Sequence, residues 1–410
     1  MLENLRTALQ LQPITLDRTT RQLDRAANID DLRTMAKRRL PGGVFDYIDG
    51  GADDEVTLKN NTERFDQYEF RPRILRDMAN VDTSTQLLGQ AIPFPLVMAP
   101  TGFSRIATPG GELDTSRAAA KMGIPYSLSS LSTRSIEEVA EVCHGPKWFQ
   151  VYVWKDRGLV REMIDRSDAA GYEAIIITVD FQTIGRRERD VRRGFTLPPK
   201  LGLDTIVDGI RHASWTWDFV RSDPILFSNI TGSGQADGTT ATGLGDYMNE
   251  QLDPSLNWDD IAWFREIWDK PIVVKGIQDV EDVKIAADLG IEAVALSNHG
   301  GRQLDHSPAP IDLVPESRDA VGNALQIICD GGIRRGAHIA KALALGADAC
   351  MAGRAYLYGL GAAGEAGVDK ALGFLRDEFT RTMTLAGATS VADLDHNMLN
   401  RRNYAELATE

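Results

Sequence analysis

Cysteine is scarce. The 410 residues include three, Cys143, Cys329 and Cys350. None forms a metal-ligand spacing, so no metal site is read from them. Two of the three lie inside apolar runs, and an odd count so placed reads as reduced, buried thiols of a cytoplasmic protein. Positive charge is also in deficit: the formal net charge is −14. That argues against a nucleic-acid partner and gives no general attraction to anionic lipid, while local arginines remain free to take a small anion. No apolar run reaches the ~20 residues of a membrane-spanning helix. Met1 to Leu11 lacks the basic start and apolar block of a secretory signal. The expectation is a cytoplasmic protein, at most peripheral on the inner face of the cell membrane. What is present in quantity, 43% apolar and 25% charged residues, is the composition of a soluble globular chain with ample core.

Residues 1 to about 28 are polar with scattered leucines and read as a loosely held arm. Asp30 is placed to cap a helix through Leu32, Met35 and Ala36 that stops at Pro41. Gly42-Gly43 and Gly50-Gly51 bracket a second helix, and Asp53-Asp54-Glu55 would put acids in the first turn of a third. From Phe94 short β-rich runs alternate with longer amphipathic stretches. The runs are Leu96–Ala99, Tyr126–Ser129, Trp148–Val153, Ala174–Val179, Pro271–Lys275, Ala293–Leu296, Leu325–Cys329 and Asp348–Ala352. Between them lie helical patterns such as Leu113–Met122, Ile136–Val142, Val160–Ala170, Val280–Leu289 and Ala337–Leu345. Strand-helix alternation means parallel strands, and this many units predict a (β/α)8 TIM barrel rather than an open doubly wound sheet. No Gly-x-Gly-x-x-Gly follows the first run, which removes the usual dinucleotide fingerprint. The chain divides into an N-terminal helical extension (1–92), a barrel (93–385) and a C-terminal tail (386–410).

One interval breaks the rhythm, Asp180 to Lys270 after the fourth strand, with an insertion at about 195–258. It holds an aromatic piece, Trp215–Phe227, and a Gly/Thr-rich piece, Thr231–Gly245. A connection that long reads as a functional lid or as an inert surface excursion. A third reading has Trp215, Trp217 and Phe219 docking on a membrane.

The chemistry gathers where barrel strands end. After the sixth run comes Ser297-Asn298-His299-Gly300-Gly301-Arg302-Gln303-Leu304-Asp305, a histidine and an arginine in a turn that two glycines allow. Asp330-Gly331-Gly332-Ile333-Arg334 follows the seventh and Gly353-Arg354 the eighth. Those are the loops that hold phosphate in such barrels, and glycine amides, a helix N-terminus and arginines suit one. The other strand ends carry Ala99-Pro100-Thr101-Gly102, Ser129-Ser130, Gln150 and Tyr152, Thr178 and Asp180, and Lys275, with Arg187 shortly after the fourth. Singly, each reads as a satisfied core hydrogen bond. Together they form a polar ring over an apolar barrel, suited to a planar polar cofactor.

From about Asp30 to Val368 these strings resemble the FMN-dependent 2-hydroxy-acid dehydrogenases and oxidases, the family of glycolate oxidases, lactate dehydrogenases and mandelate dehydrogenases. The strings that carry the resemblance are Phe45-Asp46-Tyr47, Gly51-Ala52-Asp53-Asp54-Glu55, Ala99–Gly102, Phe149–Tyr152, Thr178–Asp180, Val274-Lys275-Gly276, the nine-residue signature and Asp330–Gly332. Within the family the look is that of bacterial L-lactate dehydrogenases. The resemblance implies a (β/α)8 barrel and FMN. It implies that an (S)-2-hydroxy acid becomes the 2-oxo acid as electrons pass from Cα to flavin N5. His299 would be the base and Asp180 its partner. Arg302 and Arg187 would bind the substrate carboxylate, and Tyr47 and Tyr152 would contact the carboxylate and the reacting oxygen. Ala99, Pro100, Thr101, Ser129, Gln150, Thr178 and Ser297 would hold the ring. Lys275 would sit by its N1 edge, and Asp330, Gly332, Arg334, Gly353 and Arg354 would hold the ribityl chain and phosphate.

Two departures bear on specificity. Leu131 stands where glycolate oxidases carry tryptophan, which favours lactate over glycolate. Gly102 stands where many oxidases carry alanine; glycine there tends to accompany dehydrogenases, though a lactate monooxygenase shares it. The expectation is therefore an L-lactate dehydrogenase with a separate electron acceptor, quinone or other, assembled as a homotetramer or homo-octamer. The rivals are an oxidase or monooxygenase using oxygen, or a mandelate-type dehydrogenase.

Overall fold

Successive side chains of a strand face opposite sides, and here the two sides separate into two cores. The computed structural model describes residues 17–194, 203–230 and 250–401. Eight parallel strands close into a barrel: β1 (Leu96–Thr101), β2 (Tyr126–Ser129), β3 (Lys147–Tyr152), β4 (Ala174–Thr178), β5 (Ile272–Ile277), β6 (Ala293–Ser297), β7 (Gln326–Asp330) and β8 (Ala349–Ala352). All eight coincide with the apolar runs. Each pairs with its sequence neighbour, and β8 returns to β1 through Cys350 opposite Leu96. Val97, Ala99, Trp148, Ala174, Ile176, Val273, Ala293, Ala295, Ile328, Ala349 and Met351 fill the interior. Their neighbours Leu96, Met98, Phe149, Val151, Ile175, Ile177, Val274, Val294 and Ile327 join the larger core under the helices. The inward row of the same pleat runs on into Gln150, Tyr152, Thr178, Lys275, Ser297 and Asp330 at the C-terminal ends of the strands. That is how an apolar barrel acquires a polar mouth.

A short hairpin, Thr85–Leu87 and Gln90–Ile92, adds Leu87 and Ile92 to the barrel interior. Gln326 fixes it, accepting from the Leu88 amide (2.7 Å) and donating to the Gln86 carbonyl (3.1 Å). The expected helices form at Glu112–Met122, Ile136–Val142, Arg157–Ala169, Val280–Asp288 and Gly336–Ala344. Helices Trp258–Ile267 and Pro310–Val321 complete the ring, and the last, Arg354–Ala386, bends at Ala363 and Gly364. All three cysteines are buried and free, Cys329 directly opposite Cys350.

Four local expectations are corrected. Asn28, not Asp30, caps the helix Ile29–Arg39, its side chain accepting from the Asp31 amide; the helix begins two residues earlier than a cap at Asp30 would start it, which leaves Asp30 in its first turn. Asp53, Asp54 and Glu55 precede the helix Val56–Glu63 because Glu55 adopts a left-handed conformation. The distant Asp305 carboxylate instead caps the amides of Val56 and Thr57. Part of the supposed arm, Arg18–Arg25, is helical, with Leu23 packed against the core. Trp215 faces inward, donating from Nε1 to the Ile106 carbonyl at 2.8 Å. The insertion forms helices Leu203–Arg211 and Ala213–Arg221, and its 231–245 piece lies outside the described residues. Leu399–Arg401 pairs antiparallel with Tyr68–Phe70, tying the tail to the extension.

Candidate active site

A cavity of about 610 Å3 opens at the C-terminal mouth of the barrel. Its wall contains Tyr47, Ala99, Pro100, Thr101, Gly102, Leu131, Gln150, Tyr152, Thr178, Arg187, Lys275, His299, Arg302, Asp330, Gly332, Arg334, Gly353 and Arg354. Three other candidates stand one layer behind and act on those that line it. Asp180 holds His299, Ser129 holds Gln150, and Ser297 joins Lys275 to Asp330.

The His299 turn follows β6. Asp180, two residues beyond β4, places Oδ1 2.9 Å from His299 Nδ1. That contact fixes the tautomer with the proton on Nδ1 and leaves Nε2 for a reacting group. Burial pushes the Asp180 carboxyl up, but His299 and Lys275 more than offset this and hold it below its ordinary value. Phe181 stacks on His299 (5.6 Å) and lies tilted against Tyr152 (4.6 Å), giving the imidazole an apolar neighbour.

Two guanidinium groups lie against the Tyr47 ring, Arg302 at 5.0 Å and Arg187 at 5.3 Å. Arg302 donates to the Tyr47 carbonyl at 2.7 Å, and Arg187 Nε lies 3.1 Å from Asp190 Oδ2. Burial, with Arg187 nearby, pushes Arg302 below its usual basicity, and Tyr47 and Asp190 offset only part of this. Gly102 is dictated by close approach: a Cβ there would lie 2.8 Å from the Leu131 carbonyl oxygen and 3.0 Å from its Cβ. An alanine there would require the Leu131 segment to shift.

The flavin implied by the resemblance can be tested against donors left over. Ser129 donates to Gln150 Oε1 at 2.7 Å, which turns Gln150 Nε2 away, buried and without a partner among the described residues. A buried amide N–H left so is costly unless a ligand accepts from it. Lys275 Nζ lies 3.0 Å from both Ser297 Oγ and Asp330 Oδ2. Burial pulls this ammonium down, yet Asp330 and Asp180 leave it above its ordinary value, a fixed cation in the wall. Gly331 and Gly332 turn with φ of +142° and +73°, exposing amides where Arg334 and Gly353 also line the cavity. These residues fit a planar heterocycle carrying a phosphate. Arg354 lies in the same wall, but its Nε, Nη1 and Nη2 donate to the carbonyls of Ile48, Gly300 and Gly50, so it also ties three loops together.

Sequence reading missed several members. Phe181, Asp190, Phe103 and Phe227 all line the cavity. Asp190 stands one helical turn after Arg187, which was a usable signal. Phe103 follows the Gly102 turn with φ of +62°, and Phe227 returns from the insertion. No group of three or more His, Cys, Asp or Glu among the described residues could hold a metal ion.

Comparison with known proteins agrees with this geometry. A family model described as FMN-dependent dehydrogenase matches residues 36–401. A putative L-lactate dehydrogenase of Mycobacterium tuberculosis is 43% identical over 96% of this chain and 94% of its own length. Glycolate oxidase 3 of Oryza sativa subsp. indica is 42% identical over 90% and 95%. Among solved structures, the monotopic membrane protein (S)-mandelate dehydrogenase superposes with a TM-score of 0.88 at 37% identity, covering 92% of this chain and all of its own. The chain belongs to the FMN-dependent dehydrogenase family and is an FMN enzyme of 2-hydroxy-acid oxidation.

Proposed function

We propose that the site oxidises L-lactate to pyruvate and that the electrons leave for a separate acceptor, a quinone or other carrier, rather than oxygen. The observation that carries the reading is the His299–Asp180 pair at 2.9 Å in one cavity with the Arg302 and Arg187 guanidinium groups. Bound FMN supplies a two-electron sink. The chain's own residues do the rest. Arg302 and Arg187 hold the substrate carboxylate, with Tyr47 and Tyr152 against the carboxylate and the reacting oxygen. His299 Nε2 takes the hydroxyl proton, and Asp180 stabilises the imidazolium formed. Gln150 and Lys275 orient the ring, and the Gly331-Gly332 turn with Arg334 and Gly353 holds the phosphate. Leu131 and Gly102 leave room for a methyl group at the substrate's side-chain position.

The test is an anaerobic visible spectrum before and after adding L-lactate. Bleaching of the flavin band is the expected result, with slow reoxidation on admitting air. A flavin that lactate leaves oxidised removes lactate from the reading. A mandelate-type acid is the second reading, supported by Phe103 and Phe227 in the same wall and by the likeness to (S)-mandelate dehydrogenase. Relative rates with L-lactate and (S)-mandelate separate the two.

No helix among the described residues is long and apolar enough to cross a membrane. The insertion helices nevertheless expose Val207, Ile210, Trp217, Phe219 and Val220. We infer peripheral contact of this face with lipid, which would bring the site to a lipid-phase acceptor. Assembly as a tetramer or octamer completes the proposal.

A further inference from the structure

The helix Val56–Glu63 belongs to the N-terminal extension, and Asn61 on it does not line the cavity. Asn61 and Asn298 are 2% and 1% exposed. Their side chains form a reciprocal amide pair: Asn61 Nδ2 donates to Asn298 Oδ1 at 2.8 Å, and Asn298 Nδ2 to Asn61 Oδ1 at 2.7 Å. Asn298 uses its remaining capacity on its own loop. Oδ1 also accepts from the Gly301 amide at 3.0 Å, and Nδ2 donates to the Pro308 carbonyl at 2.9 Å. This amide thus spans the turn in which His299, Gly300 and Gly301 all take positive φ, +56°, +65° and +72°. For a histidine that is a sparsely populated conformation, held only where the surroundings over-determine it.

The other side of Asn61 faces the glycine turn after β7. Its carbonyl oxygen would lie 1.7 Å from a Cβ on Gly332, and its Nδ2 3.5 Å from one on Gly331. One turn on, Phe65 stacks on His338 (4.3 Å, 6°), whose Nδ1 lies 3.2 Å from the Gly332 carbonyl and 3.3 Å from the Arg334 amide.

We propose that Asn61 is a positioning residue whose amide pair with Asn298 sets His299 and Arg302 in register with the glycine turn that holds the cofactor phosphate. Base and flavin then keep their distance through the N-terminal extension rather than through the barrel alone. The inference rests on the roles proposed above for His299 and the glycine turn.

The test uses Asn61→Leu and Asn61→Asp in the full-length, FMN-loaded protein. It reads anaerobic flavin reduction by L-lactate, flavin content, and hydrogen exchange of 296–306 against the remote helix 112–122. Misplacement of a base by about 1 Å costs on the order of 10²-fold. Asn61→Leu should therefore slow reduction ~10–100-fold at full flavin content and raise exchange in 296–306 but not in 112–122. Asn61→Asp places a carboxylate against Asn298 Oδ1. Its rate, relative to the parent, should fall at neutral pH and recover on acidification, when the protonated acid again donates. Unchanged reduction and exchange in Asn61→Leu, or exchange raised equally in both segments, overturns the proposal. If Asn61→Leu does not fold, absence of acid recovery in Asn61→Asp overturns it instead. If lactate fails to reduce even the parent protein, the substrate reading is what fails, and the exchange comparison still decides Asn61.

Discussion

His299 combines a left-handed backbone with a side chain fixed through Nδ1, so only Nε2 is left for a substrate proton. Positioned proton transfer is worth roughly 10²–10⁴-fold. His299→Gln should lower the rate of flavin reduction by that order while leaving FMN bound, and near-normal reduction would refute its role as base. Asp180 is the complement. Its carboxyl sits below the ordinary 3.8, so its contribution to folding is present above that pH and fades as pH falls through the lower, folded value. Arg302 differs in kind, because a fork of planar donors cannot be replaced by a point charge. Arg302→Lys should raise KM for lactate by about tenfold or more, equivalent to losing about 1.4 kcal/mol of binding. A KM within twofold of the parent would remove Arg302 from carboxylate binding. These residues were legible in the sequence because they lie in a short contiguous string or at the ends of inward-facing strand rows. Phe181 was not, since nothing local shows that a ring after Asp180 folds back over Tyr152 and His299.

The element that joins the Gly331-Gly332 turn to the barrel wall is the helix Gly336–Ala344, and His338 on it carries a measurable signature. Burial pushes this imidazole from 6.5 down to about 3 against the Gly332 carbonyl, which favours the charged form. The unfolded chain therefore takes the proton first. Stability is whole above pH 6.5 and falls by up to about 1.4 kcal/mol per pH unit as pH drops from there toward 3. His338→Asn keeps an acceptor near the Arg334 amide but cannot titrate. Urea unfolding at pH 7 and pH 5 should show a shallower acid loss for the variant, and parallel losses would mean that His338 charges freely in the folded state. Elements of this kind were half legible. The eight strands could be read because β-rich runs recur at helix-length spacing, and most helices because their apolar periodicity is uninterrupted. The caps were misread where the capping group comes from far away, as Asp305 does for Val56, or from two residues before the expected one, as Asn28 does in place of Asp30. Asn61 was missed for the same reason, its partner standing 237 residues on. Local pattern carries element existence; only the closed barrel shows which distant polar groups meet.

At the scale of the whole molecule the long-range field and the local surface act in opposite senses. A net charge of −14 repels anionic lipid and falls off over about 8–10 Å at physiological salt. The insertion, by contrast, carries an exposed apolar strip, with Ile210 and Val220 each 71% and Trp217 59% exposed. Trp215, stacked on Phe219 and bonded to Ile106, anchors that strip to the loop just after β1, so anything it touches is held beside the cavity mouth. Interfacial helices bind through buried apolar area and are tuned by surface charge. The protein should therefore co-sediment with zwitterionic phosphatidylcholine vesicles. It should bind more weakly when the vesicles carry anionic phosphatidylserine, and salt should restore that loss. Val220→Asp with Trp217→Asp should abolish sedimentation while flavin reduction by lactate in solution stays within about twofold, since neither side chain lines the cavity. Sedimentation that persists in the double variant would place the lipid contact elsewhere, and a parent protein that never sediments would leave its acceptor to be sought in the aqueous phase.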